Sequence, residues 1–149
     1  LTYARIGSIQ KVGCENLLEI FKGLEYKESK GPGVHYRTIQ NVVSSIVDVK
    51  ALHVIWPTDA WHNAMFICIP PKGKIPLHTE SIGISEGDKG PWKKYHIPLQ
   101  TSDKAISYIG AEQHNLEVGS VYEIDFKKAH ESVNNGSEDR VHLVMEIYE

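Results

Sequence analysis

Cysteine is scarce in this chain. Cys14 and Cys68 are the only thiols among 149 residues and lie far apart without CxxC spacing, which argues against a disulfide framework or a zinc ribbon. A basic excess is also missing: 16 Lys and Arg face 19 Asp and Glu, for a net charge of -3, so a nucleic-acid-binding surface is not expected. No apolar run approaches the roughly 20 residues that cross a bilayer, and Leu1 to Gln10 carries no signal-peptide pattern. A soluble protein in the reducing cytoplasm is the expected setting. There is no internal repeat, low-complexity tract or linker.

What remains is ordinary for a globular chain, with 41% hydrophobic and 23% charged residues. The length suits one domain over 1–149, with a helical part at about 1–50 packing on a β-barrel core at about 52–149. Leu17, Leu18, Phe21 and Leu24 recur at helical spacing and predict an amphipathic helix from Glu15 to Leu24. Lys30-Gly31-Pro32-Gly33 is a turn-rich break. Ile39, Val42, Val43, Ile46 and Val47 repeat as a second helix would, although their β-branched content favours a strand in part of the run. Strand-like runs follow at Leu52–Trp56, Met65–Ile69, Lys94–Leu99, Ala105–Ile109, Ser120–Phe126 and Arg140–Tyr148, separated by Pro57, Pro70-Pro71-Lys72-Gly73, Gly110, Gly119 and Asn134-Asn135-Gly136. Such punctuation predicts a β-sandwich or barrel preceded by helices. Along the last run Val141, Leu143, Met145 and Ile147 share one face, and Arg140, His142, Val144 and Glu146 the other. The second face lines either a cavity or the solvent.

Chemistry concentrates at His78-Thr79-Glu80. Two residues apart on an extended segment, the imidazole and the carboxylate point to the same side, and His130 could close a set of two His and one carboxylate. That donor set suits Fe(II) and leaves coordination positions open for a cosubstrate and O2. Two neutral imidazoles and one carboxylate also leave one net positive charge, which attracts an anion; Arg140, with its planar fork, is the natural partner for a distal carboxylate. Chance supplies the same three residues in many chains with 8 His.

From about Pro76 to the end, the ordered pattern is more specific. His78-Thr79, the run Lys94-Tyr95-His96-Ile97-Pro98-Leu99, Gly119 leading into Asp125, His130-Glu131 and the Arg140-Val141-His142 strand follow one another at set intervals. In this the chain resembles the aspartyl/asparaginyl β-hydroxylase-like branch of the Fe(II)- and 2-oxoglutarate-dependent oxygenases. The resemblance implies a double-stranded β-helix (jelly-roll, cupin-like) with iron at its mouth, held by His78 and His130, and Arg140 binding the far carboxylate of 2-oxoglutarate. Lys94 and His96 stand where that branch carries an Arg and a His on the cosubstrate. An ammonium cannot form a bidentate fork, so Lys94 serves the cosubstrate or is a solvated surface lysine; His96 touches 2-oxoglutarate or is a hydrogen-bonded core residue. Glu80 is the larger departure, since the branch typically has Gly there. It either ligates the metal, which would argue against a halogenase, or points into the loop from Ser81 to Pro91 and leaves its place to water.

The expected activity is hydroxylation of an amino-acid, peptide or small-molecule substrate, coupled to conversion of 2-oxoglutarate and O2 into succinate and CO2. The competing readings are a cupin-like metal- or ligand-binding domain without 2-oxoglutarate turnover, and a cupin metalloenzyme of another kind. His142, on the face of Arg140, meets cosubstrate or substrate or is a satisfied core histidine. Trp61 and His62 read as packing and surface, and Trp92 as an anchor or part of the substrate mouth. His35, His53 and His114 have no partner in spacing.

Overall fold

A computed structural model describes residues 3–80 and 91–149. Among them, eleven strands form one curled, antiparallel sheet: β1 Tyr3–Ser8, β2 Lys27–Gly31, β3 Val34–Ile39, β4 Trp61–Ile69, β5 Lys74–His78, β6 Trp92–Gln100, β7 Ala105–Ile109, β8 Glu112–His114, β9 Ser120–Ile124, β10 His130–Asn134 and β11 Arg140–Tyr148. Their spatial order is β1-β9-β6-β11-β4-β3-β5-β10-β7-β8, with β2 added to β3. The sheet turns over at β3 and β5, joined only by the pair His35 and Lys74, so β5 and β10 come to face β6 and β11. This is the jelly-roll expected.

Helix α1 spans Lys11–Lys22, a turn earlier than its apolar spacing predicts. Leu17 and Phe21 are buried on its inner face, each contributing about 1.5–3 kcal/mol by removal from water. A Cβ on Gly13 would lie 2.8 Å from the Ala51 Cβ, so glycine is what lets α1 approach α3 (Lys50–Ile55) this closely.

Three expectations are corrected. The run Leu52–Trp56 belongs to α3 and its end, not to a strand: Leu52 and Trp56, four apart, are buried while Val54 is 86% exposed. Five residues, four of them apolar with His53 between, cannot distinguish the two periods. The second helical run is divided, Ile39 closing β3 and Val43–Ile46 making the one-turn helix α2, because Asn41 between them takes φ 57°, a conformation that Asn tolerates and a helix does not. Third, the part expected to be helical holds β1, β2 and β3. The break at Lys30 to Gly33 is the hairpin turn between β2 and β3, with Gly33 at φ 71°.

Every residue of β11 from Arg140 to Ile147 is buried. Val141, Leu143, Met145 and Ile147 join Phe66, Ile97 and Leu99 beneath the helices in the main core. The alternate face, with Arg140, His142 and Glu146, therefore looks into the barrel and not to solvent. A smaller apolar cluster, Ile109, Leu116, Tyr122 and Ile124, lies apart from the main core. The turn at Asn134-Asn135-Gly136 uses no positive φ. Instead the Asn134 side chain donates to the Ile69 and Glu138 carbonyls, 2.8 Å each, and accepts from the Gly136 amide at 2.9 Å.

Candidate metal centre

His78 ends β5 and His130 begins β10, and the two are directly paired across those antiparallel strands. Their rings lie 4.2 Å apart between centroids, tilted by 55°. Glu80 follows β5, its amide donating to the Phe126 carbonyl at 3.1 Å. Its Oε1 then sits 3.4 Å from His78 Nε2 and 3.3 Å from His130 Nε2. One potential ligand atom from each residue lies within 4.8 Å of the other two, and among the described residues this is the one such group of His, Cys, Asp and Glu.

Both imidazoles are oriented by the same device. His78 Nδ1 is 2.7 Å from the Pro76 carbonyl and His130 Nδ1 is 2.7 Å from the Lys128 carbonyl. A carbonyl only accepts, so each Nδ1 carries a proton, and Nε2 is the ring atom turned toward Glu80, the one that would bind a metal once it holds no proton. Burial would raise the Glu80 carboxyl, but the His130 hydrogen bond and the Lys94 ammonium outweigh it and hold its pKa at about 2. Burial pulls His130 down, yet its bond to Glu80 leaves it above the ordinary imidazole range. In the metal-free protein, then, a proton on His130 and the Lys94 charge balance a carboxylate that a divalent cation could take over.

Lys94 is turned inward. It is 8% exposed, and its Nζ forms an ion pair with Glu80 Oε2 while lying 5.4 Å from the centroid of Phe126. It is therefore not a solvated surface lysine. Opposed oxygens of one carboxylate are thus divided, Oε2 to Lys94 and Oε1 to the imidazoles.

Deeper in the barrel, His96 on β6 and His142 on β11 share a hydrogen bond between their Nδ1 atoms, 3.0 Å long. One ring donates and the other accepts, so the accepting Nδ1 carries no proton. Burial, reinforced by the Arg140 charge, pushes His96 down to about 3 and His142 well below its usual range. Arg140 is 3% exposed and its Nε has no hydrogen-bond partner. Burial lowers its pKa to about 10. Cys68, nearby, is pushed up to about 12, by burial first and then by Asp139.

Trp92, the first residue of β6, stacks on Phe126 at 5.4 Å and on His62 at 5.3 Å, while His62 Nδ1 lies 2.8 Å from the Tyr148 hydroxyl. His62 is thereby a partly buried packing partner. His35 pairs with Glu28, His53 with the Val47 carbonyl, and His114 packs on Tyr3. The ten loop residues 81–90 lie outside the described residues. Sequence reading assigned no role to Phe126 or Glu146; the alternation along β11 was the available signal for the second.

The family model described as Aspartyl/Asparaginyl beta-hydroxylase matches residues 40–149. Among solved structures, the non-heme alpha-ketoglutarate-dependent carbocyclase SnoK from nogalamycin biosynthesis is 11% identical, with TM-score 0.71, over 99% of this chain and 79% of that one. HygX from Streptomyces hygroscopicus, solved with nickel and 2-oxoglutarate bound, is 11% identical with TM-score 0.71, over 97% and 82%. The viral collagen prolyl hydroxylase vCPH from Paramecium Bursaria Chlorella virus-1 is 10% identical with TM-score 0.63, over 99% and 96%. At these identities the likeness is one of fold. No curated protein sequence matches the chain.

Proposed function

The chain belongs to the aspartyl/asparaginyl beta-hydroxylase family, a branch of the 2-oxoglutarate-dependent oxygenases, and from that premise we propose that it is an Fe(II)-dependent hydroxylase. His78, Glu80 and His130 hold the metal, and Arg140 binds the far carboxylate of 2-oxoglutarate. The observation that carries this reading is the convergence of three ligand atoms within 4.8 Å, with both imidazoles anchored through Nδ1. Its second support is Arg140, a buried guanidinium whose Nε is unsatisfied, since such a group costs stability until an anion completes it.

Fe(II) and 2-oxoglutarate, when bound, supply the activation of O2 and the oxidising power for C–H hydroxylation, with succinate and CO2 as coproducts. The chain's own residues prepare that chemistry. Glu80, ionised down to about pH 2, offers a negative oxygen without having to lose a proton. Lys94 engages Oε2 and so leaves Oε1 facing the imidazoles. The two His ligands are neutral, so a divalent metal keeps one positive charge for an anionic cosubstrate. Arg140, His142 and His96 line the same face of the barrel wall, one permanent cation followed by two neutral rings. They suit a carboxylate at the deep end of the cavity and a less charged group above it.

The substrate is an amino acid, a peptide or a small molecule. The test is turnover: Fe(II)-loaded protein with 2-oxoglutarate and O2 should form succinate, and His130→Ala should abolish it together with metal binding. Adequately loaded protein that neither binds 2-oxoglutarate nor forms succinate would refute the assignment and favour a cupin-like binding domain.

A further inference from the structure

Glu146 is the one acidic side chain of the inner β11 face, and nothing described so far uses it. It is 8% exposed, and no hydrogen bond or ion pair reaches its carboxylate among the described residues. Its oxygens are not among the atoms fully shut off from the surface, since the one buried unpartnered side-chain N or O among the described residues is Arg140 Nε, so the carboxylate stays open to a ligand. Register fixes where it lies. Glu146 stands directly across from Lys94 on β6 and from Asn63 on β4, and directly opposed residues share a face. Lys94 points to the metal centre through its ion pair with Glu80, so Glu146 lies on the same wall, beside that centre.

The neighbouring cation does not satisfy it. Lys94 is held by Glu80 on one side and by the Phe126 ring on the other. Asn63 offers a neutral amide from the opposite strand. One step further along the same face, Tyr148 is paired with Trp92 across β11 and β6, and Trp92 belongs to the stack with Phe126 and His62. A free carboxylate flanked by aromatic rings and an amide complements a positively charged nitrogen, through charge and through the electron-rich rings.

We propose that Glu146 is a specificity residue that binds an amine or guanidinium group of the substrate at the mouth of the site. The inference rests on the oxygenase reading above and names the substrate class for the same site: molecules or residues with a cationic nitrogen near the carbon that reacts. An anionic substrate would meet an unpaired carboxylate, and a neutral one would leave it without a counter-charge.

The test uses the full chain loaded with Fe(II) and 2-oxoglutarate without O2. Two matched pairs serve as probes: acetyl-lysine amide against acetyl-norleucine amide, and acetyl-arginine amide against acetyl-citrulline amide, blocked so that the side chain alone differs in charge. Binding is followed by calorimetry and ligand-observed NMR. At least one charged probe should bind about tenfold or more tightly than its neutral partner, and Glu146→Gln should erase that preference. Equal binding within both pairs, no binding of either charged probe below about 10 mM, or a preference retained in Glu146→Gln would overturn the proposal. So would a tenfold loss of metal affinity in Glu146→Gln without any effect on probe selectivity, because Lys94 would then be its partner in the loaded protein. Metal and cosubstrate titrations on the same samples separate the two readings. Wild-type protein that binds neither refutes both, whereas normal binding of both without charge preference refutes the role of Glu146 alone.

Discussion

Replacing Arg140 with Met removes a buried charge that the metal-free fold does not compensate. The guanidinium is 3% exposed with Nε unpartnered, and burial brings its pKa from 12.5 to about 10. At about 1.4 kcal/mol per pH unit, that drop corresponds to roughly 3 kcal/mol of lost solvation. The charge-free variant recovers part of this but gives up some packing of the side-chain stem. Without metal or cosubstrate, Arg140→Met should therefore unfold at equal or higher urea concentration than wild type, a gain of about 0–3 kcal/mol. The order should reverse once 2-oxoglutarate is added to metal-loaded protein. Wild type should be stabilised by about 2.7 kcal/mol at a hundredfold excess over Kd, and the variant should scarcely respond. A variant that is several kcal/mol less stable than wild type when ligand-free would mean that the guanidinium is a satisfied structural ion. A variant that binds 2-oxoglutarate with wild-type affinity would equally refute the role given to Arg140.

Other predictions concern the same wall and the core behind it. Glu80→Gly should lower metal affinity while leaving residual binding through two imidazoles; it also strands the buried Lys94, at a cost of about 1–3 kcal/mol in urea unfolding. For His96 and His142, folded pKa values below the unfolded 6.5 mean that the unfolded chain takes up protons first. Their contribution to stability is complete above pH 6.5 and is lost as pH falls from there, for His96 until about 3, at up to about 1.4 kcal/mol per pH unit for each proton. Urea midpoints between pH 6.5 and 5 should fall accordingly, and a His142→Gln variant should show a shallower slope. Glu80, with its pKa held at about 2, contributes no such slope in that window. Leu143→Ala, at a fully buried site in the main core, should cost about 2–5 kcal/mol.

The parts of this fold that can be read from sequence are those where one residue's neighbours decide its environment. Leu17 and Phe21 repeat at helical spacing and lie under α1. The alternation along β11 divides the main core from the barrel wall. β2, Lys27–Gly31, could not be read this way because it is a polar strand on the outside of β3 with no buried face to impose a pattern. Residues 52–56 failed for the opposite reason, being apolar at all positions but His53 over less than two helical turns.

The site divides along the same line. His78 and Glu80 are two residues apart, and His130 and Arg140 follow at family intervals, so these four were named before any geometry. The ion pair of Glu80 with Lys94 and the hydrogen bond of His96 with His142 were not legible. Each joins residues on different strands, and the pairing depends on the register of β6 against β11 and on the crossing of β5 toward β6. Glu146 gains its meaning from that register too, because only the pairing with Lys94 places it beside the metal centre.

The most direct test of the metal and cosubstrate assignment is an anaerobic titration of Fe(II)-loaded protein with 2-oxoglutarate, followed by visible absorption. A weak charge-transfer band that saturates at one equivalent, is absent in His130→Ala and needs far more 2-oxoglutarate in Arg140→Met is the predicted result. No band in protein holding one Fe(II) per chain, or a band indifferent to both substitutions, would contradict it.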